Sequence, residues 1–419
     1  MAAVNPYAER VQWLLDQQRY ALALEQLHQW LSTSPEKPII HAFLALCHSE
    51  LHQLEPALEH AKTAVALGPD LSYSHYILGV VQQDKGHWKA AHESFLQALR
   101  LDPEDPDYHT RLGLLFWQQG QWSPALRSAE TALSYAPEHI DALNLRSMSL
   151  VRLGAMDQAV DNMDTALSHE PENPRVHTNR GWSLLYANEH AKALDAFREA
   201  LRLDPGLAWA QEGMLEALKA RYRLYRGFQR YRFWIARYGA RRQLLVMLVW
   251  VILLRVIFAY TGTSWPALTL GFMGVYFGLV LMTWLIDPLF NLVLSFDAHG
   301  KYLLSTREHQ GARLMGGMLT AGVLLCLAGL LSGLGSLLLC GVFCFLMLVP
   351  AAGTQTTVYA PHREFLRFYT LFLSMLALGT VVSFLWGAQT AFLFSLISFG
   401  VCWLAFSWVA NLLLLKSPP

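Results

Sequence analysis

The chain is 419 residues long, 53% hydrophobic and formally neutral, with 32 basic and 32 acidic side chains. The neutrality is a cancellation. Residues 1–218 hold 16 Lys+Arg against 28 Asp+Glu, a net of −12; residues 219–419 hold 16 against only Asp287, Asp297, Glu308 and Glu364, a net of +12. This excludes one uniform globular domain and predicts an acidic, soluble half joined to a basic, membrane-bound half.

The first twenty residues carry Glu9 and Arg10 and lack an apolar core, so they are not read as a signal peptide. The five cysteines show no CxxC or Cys/His spacing, which argues against a disulfide framework or a metal site, and the Cys340/Cys344 pair reads as packing or lipid-facing surface. Six prolines stand 34 residues apart: Pro35, Pro69, Pro103, Pro137, Pro171 and Pro205. Alanines at 23, 57, 91, 125, 159 and 193 keep the same phase. A fixed period of this length predicts a solenoid whose units stack to bury a shared core.

Within the units, Leu78-Gly79, Gly86, Trp88, Ala91, Phe95, Ala98 and Pro103, and their counterparts in neighbouring units, form a pattern that resembles the tetratricopeptide repeat. The resemblance covers residues 4–207 and implies six pairs of antiparallel helices, with a capping helix at 208–218. Val11 and Ser147 replace the small glycine in two units. His41, His75, His109 and His177 stand where the family favours a large aromatic. Neighbouring repeats lie about 8–10 Å apart, whereas zinc ligands sit about 2 Å from their ion, so these histidines are read as packing residues. The resemblance also implies a concave groove lined by the first helix of each unit. It carries Tyr73, Tyr76, Thr110, Arg111, Trp117, Asn144, Met148, Arg152, Arg175, Asn179 and Trp182 onto that surface as candidate contacts for a protein partner, some of which pack between repeats instead. The family's Lys/Asn carboxylate clamp is not recognisable.

Residues 219–242 contain nine basic side chains and no acidic one. Leu224, Phe228, Tyr231, Ile235 and Tyr238 fall on one helical face. Nucleic acid is one reading of such a segment. Its continuation into an apolar stretch favours a helix in the headgroup layer, with Arg221, Arg223, Arg226, Arg230, Arg232, Arg237, Arg241 and Arg242 against anionic lipid and no nucleic acid as partner.

Three apolar runs follow, each long enough for two spans and each with turn chemistry near its middle. They predict a six-helix transmembrane bundle over 243–416, with spans near 243–260, 266–286, 313–331, 336–352, 367–385 and 389–415. The three hairpin turns carry no Lys or Arg, while Lys301, Arg307, Arg313, Arg363, Arg367 and Lys416 lie on the other side, which places both termini in the cytoplasm. Asp287-Pro288 reads as the start of a short interfacial helix, Ser305–Glu308 as a capping box, and Gly329-xxx-Gly333 as a close helix contact. Polar residues at membrane depth are few: Arg255, Asp287, Asn291 and Asn411. No catalytic motif or cofactor signature is present.

The expected fold class is therefore all-α, a helical solenoid followed by a membrane bundle. The arrangement is similar to multi-spanning tetratricopeptide proteins of bacterial inner membranes. The expected function is a non-enzymatic, membrane-anchored scaffold for a protein partner. The alternatives are a regulatory or structural component of a transporter or channel, in which Arg255 and Asn411 face a polar cavity, and a lipid-modifying enzyme using Asp287, Asp297, His299 and His362.

Overall fold

The computed structural model describes residues 6–236, 249, 253, 256, 266–297, 300–357 and 359–415. Among them the secondary structure is helical, and the chain divides into two compact units. One holds the repeats up to Gly213 together with residues 233–236; the other holds Met214–Arg232 and the apolar helices.

Six helix pairs build the first unit: α1 Pro6–Asp16 and α2 Tyr20–Thr33, α3 Pro38–Glu50 and α4 Leu54–Leu67, α5 Ser72–Asp84 and α6 Trp88–Leu101, α7 Pro106–Gln118 and α8 Trp122–Tyr135, α9 Ile140–Leu153 and α10 Met156–His169, α11 Pro174–Tyr186 and α12 His190–Leu203. Helix α13, Ala208–Lys219, follows. The in-phase alanines are fully buried, because only a methyl group fits where the two helices of a pair cross. A Cβ on Gly79 would lie 2.6 Å from the Phe95 ring, and one on Gly181 2.7 Å from Phe197. In the fifth unit the glycine is replaced by Ser147, whose buried hydroxyl donates to the Ala159 carbonyl and bonds to Ser183 at 3.0 Å. Each pair turns through a left-handed residue, again every 34 residues: Gln18, His52, Gly86, Gly120, Gly154 and Asn188.

In the second unit, α14 is Arg223–Ala236, which runs on into the first unit, α15 Pro266–Ser295, α16 Gly300–Leu303, α17 Thr306–Ser332, α18 Gly335–Leu346, α19 Leu348–Thr356, α20 Ala360–Leu385 and α21 Gln389–Leu415. Four segments among the described residues are long and apolar enough to cross a membrane: Thr306–Ser332, Gly335–Gln355, Ala360–Leu385 and Gln389–Phe406. That is four rather than the six expected. The expected first span lies outside the described residues apart from three isolated positions, and the second forms the first part of the 30-residue α15. The hairpin turns at Gly333 and Gly387 use left-handed glycines. A Cβ on Gly329 would meet the Leu338 backbone nitrogen at 2.7 Å, so the α17–α18 approach requires glycine.

Two sequence expectations around these helices part ways. Ser305 and Glu308 do form a reciprocal capping box at the start of α17. Asp287 does not cap a new helix, because α15 runs through Pro288 without interruption. Pro288 therefore occupies a helix interior, where it forgoes one backbone hydrogen bond of the ladder, instead of the first-turn position that proline favours.

Pro350 marks a further local device. It lacks the N–H that would reach the Leu346 carbonyl, and the helix breaks between α18 and α19. The indole Nε1 of Trp403, buried on α21, donates to that carbonyl at 2.7 Å. Trp403 sits in the bundle core with Phe343, Met347, Leu366, Leu373, Phe399 and Phe406.

Candidate functional site

The first helices of the repeats carry a row of half-buried aromatic and arginine side chains. Tyr73 and Tyr76 on α5 lie in ring contact at 5.9 Å, and Tyr76 stacks on Tyr108 of α7 at 4.9 Å. Arg111 Nε donates to the Tyr76 hydroxyl at 3.3 Å. Burial, and then the neighbouring tyrosines, push the Tyr73 phenol well above its ordinary range. One repeat further on, the Arg152 guanidinium lies 5.5 Å from the centre of the Trp117 ring and 5.4 Å from that of Trp122. Trp182 on α11 stacks on Trp209 of α13 at 6.0 Å. Gln18 of the first repeat lines a cleft of about 710 Å³ with Glu170–Arg175, the connection between the fifth and sixth repeats.

Residues 83–120 match the family described as TPR repeat, and residues 110–161 and 145–208 match the tetratricopeptide repeat family. The helix pairs within residues 83–208 are tetratricopeptide repeats. Among solved structures, the chain is similar to YrrB, a TPR protein with an unusual peptide-binding site, at 24% identity over 44% of this chain and 96% of that one, with a TM-score of 0.34. It is similar to TTC0263, a thermophilic TPR protein in Thermus thermophilus, at 23% identity over 43% and 97%, TM-score 0.40. Pseudomonas aeruginosa PilF is 19% identical over 49% and 94%, TM-score 0.41. No curated protein sequence matches the chain. Tetratricopeptide repeats are a protein-interaction scaffold.

Nine of the eleven tetratricopeptide groove candidates keep some accessible surface: Tyr73, Tyr76, Arg111, Trp117, Asn144, Met148, Arg152 and Trp182 are half-buried, and Arg175 is exposed. Thr110 and Asn179 are buried and turn inward. The Thr110 hydroxyl donates to the Pro106 carbonyl one helical turn back, and Asn179 Nδ2 donates to Asn144 Oδ1. Asn144 is thereby tied to Asn179 across the repeat boundary.

The histidines do more than pack. Nε2 of His75, His109 and His177 each donates at 2.8 Å to the carbonyl of the repeat proline six residues earlier, Pro69, Pro103 and Pro171 respectively; His41 does the same to Pro35 at 3.3 Å. Gln211 serves Pro205 in the same way at 2.7 Å. These bonds close the turn between one repeat and the next. The constant spacing of six was the available signal. Among the described residues no group of three His, Cys, Asp or Glu side chains is placed to share a metal ion.

In the second unit, a charged cluster joins the end of α13 and the start of α14 to α15. The fully buried Tyr225 hydroxyl lies 2.6 Å from Asp287 Oδ1 and 2.9 Å from Glu216 Oε1. Lys219, 3% exposed, lies 3.3 Å from Glu216 and 3.8 Å from Asp287, and Arg232 lies 3.3 Å from Asp287. Two carboxylates and two cations thus neutralise one another around one phenol, whose pKa burial and the two carboxylates drive far up. Glu216, Lys219 and Tyr225 were not singled out in the sequence, because their partner lies some sixty residues away.

The cluster changes the standing of several other predicted sites. Arg232 faces Asp287, and Arg226 Nε donates to the Ala220 carbonyl at the end of the preceding helix, so both are engaged within the protein. Arg221, Arg223 and Arg230 are exposed. Asn291 is half-buried on α15, and its Oδ1 is enclosed without a hydrogen-bond partner. Arg237, Arg241, Arg242 and Arg255 lie outside the described residues, as does His299, and only the backbone of Asn411 is described.

Proposed function

We propose that the protein is a membrane-anchored scaffold that binds a protein partner through its concave repeat surface at the cytoplasmic face, supporting the assembly or regulation of a membrane complex. The observation that carries this reading is the row of half-buried Tyr73, Tyr76, Trp117 and Trp182 with Arg111 and Arg152, in a chain that also holds four span-length apolar helices. Aromatic and arginine side chains dominate binding energy at protein interfaces. The cytoplasmic assignment follows from the lysine and arginine bias of the connections. The reading is non-catalytic: Asp287, one of the carboxylates weighed for chemistry, is spent on Tyr225 and Arg232.

Helix α14 fits a place in the headgroup layer. Leu224, Tyr231 and Trp234 are exposed along with Arg223 and Arg230, which combines apolar and cationic surface on one short helix, and Arg221 is exposed just before it.

The test is crosslinking of the full chain in native membranes, followed by identification of the captured protein. Trp117→Ala combined with Trp182→Ala is expected to abolish its capture while the protein stays in the membrane fraction. Unchanged capture by the double variant would remove the concave surface from the argument.

A further inference from the structure

At the end of the apolar bundle opposite the Gly333 and Gly387 turns, three arginines stand near the starts of two helices. Arg307 stands in the first turn of α17, and Arg363 and Arg367 stand in the first two turns of α20. The charges of Arg363 and Arg367 both reach Arg307. Helix N-termini carry partial positive charge, so guanidinium groups in a first turn are opposed by their own helix and, here, by one another.

The protein supplies little to offset this. Arg307 Nη2 donates to the Thr354 and Thr357 carbonyls at the end of α19, which fixes its side chain in place but adds no full negative charge. Glu308 opposes the two arginines only in part, and its Oε2 also accepts from the Ser305 nitrogen at 2.9 Å and hydroxyl at 2.8 Å. Glu364 pairs with Arg367 at 2.7 Å, but both side chains are half-exposed, and such a surface pair is weak and readily exchanged. Arg363 is half-buried and its Nε is enclosed with no hydrogen-bond partner. An arginine presents Nε and Nη together as a fork that matches a phosphate or carboxylate, and one donor of the Arg363 fork is left unsatisfied.

We propose that Arg307, Arg363 and Arg367 form a binding site for a phosphate group, filled by the headgroup of an anionic phospholipid. The source follows from position: the arginines stand at the ends of two span-length apolar helices, where headgroup phosphates lie. Within two helical turns of these arginines, Leu314 of α17 and Phe365, Phe368 and Leu371 of α20 are exposed, apolar surface suited to the acyl chains of the same lipid. The site is separate from the arginines of α14, and it rests on the membrane reading of the bundle.

The full chain would be reconstituted in nanodiscs of phosphatidylcholine alone or of phosphatidylcholine with phosphatidylglycerol, and retained lipid counted by native mass spectrometry after release. Preferential retention of phosphatidylglycerol is expected, falling about fivefold for each of Arg363→Gln and Arg367→Gln, the factor that loss of one basic side chain near an anionic surface implies. Arg221→Gln with Arg223→Gln should leave that retention in place. Arg367→Gln keeps the test valid if Arg363→Gln fails to fold, since Arg367 is exposed. Inorganic phosphate added to phosphatidylcholine nanodiscs should not raise the thermal midpoint; if it does, and the arginine variants abolish the rise, the lipid source is overturned. Equal retention by wild type and both arginine variants, with the chain still resistant to carbonate extraction, overturns this site alone. Extraction of the wild type by carbonate overturns the membrane reading with it.

Discussion

His75 Nε2 donates to the carbonyl oxygen of Pro69 at 2.8 Å, and the same bond recurs in three other repeats. A proline carbonyl in a tight interrepeat turn has no helical donor, and leaving it without one costs about 1–3 kcal/mol where water is excluded. His75→Ala or His109→Ala should therefore lower stability by about 1 kcal/mol each. His→Gln should recover most of it, because Gln211 already makes the bond to Pro205. Thermal unfolding of the four single variants checks this, and an unrecovered glutamine variant would point to ring packing as the histidine's role.

His41 spends its Nε2 proton on Pro35, so its bare Nδ1 accepts from His60 Nδ1 at 3.1 Å, and His48 stacks on His60. Burial first, and then the charges of His41 and His48, hold the His60 pKa below its ordinary value of 6.5; Glu59 opposes the shift and His28 adds to it. A base with a depressed folded pKa binds fewer protons folded than unfolded. Stability is then complete above about pH 6.5 and falls as pH drops toward the lower folded value. His60→Gln should flatten the decline of the thermal midpoint between about pH 7 and pH 5.5.

His139 shifts the other way, and its contribution is to be separated from that of His60. The Asp107 hydrogen bond raises the His139 pKa, so that contribution is full below about pH 6.5 and is lost as pH rises through the folded value. In the His60→Gln background, His139→Gln should remove the remaining loss of stability on the alkaline side of this window.

Lys219 sits with Glu216 and Asp287 around the Tyr225 hydroxyl, almost without solvent. Removing one member of a buried pair strands its counter-charge, at a cost of about 3–5 kcal/mol. Lys219→Met should approach that loss, Tyr225→Phe should lose about 1–3 kcal/mol, and the more exposed Arg232→Gln less than about 1 kcal/mol. Unfolding of the full chain in detergent would order the three variants. An Arg232→Gln effect as large as that of Lys219→Met would contradict the placement of charge in this cluster.

Trp403 and Pro350 are predicted to be coupled through the Leu346 carbonyl. Trp403→Phe removes the indole donor and leaves that oxygen bare, at a cost of about 1–3 kcal/mol beyond the packing loss. Pro350→Ala restores a backbone N–H four residues on. The double variant should be less destabilised than the sum of the two single ones, by about 1 kcal/mol in a double-mutant cycle. Strict additivity would mean that the indole bond contributes nothing.

The repeats were legible because their signal is periodic along the chain: each alanine and proline recurs after 34 residues and meets the same neighbour one repeat on. The turns were half legible. Gly86, Gly120 and Gly154 announce left-handed backbone, whereas Gln18, His52 and Asn188 adopt it without glycine, so composition did not reveal them. Thr110 and Asn179 occupy groove positions by register yet are buried, since exposure depends on how neighbouring repeats close over them. The Ser305 capping box was readable because both of its bonds lie within four residues.

Chain sequence was enough to set the period of the solenoid, the apolar character of the second half and the start of α17 at its Ser305 capping box, because those depend on residues within a turn or a repeat of one another. Tertiary structure alone decided which charges are spent. Asp287 is claimed by Tyr225 and Arg232, Arg307 by the end of α19, and Leu346 by Trp403. Each of those partners lies tens of residues away, and electrostatics and hydrogen bonding act through space at a few ångströms, where spacing along the chain carries no information.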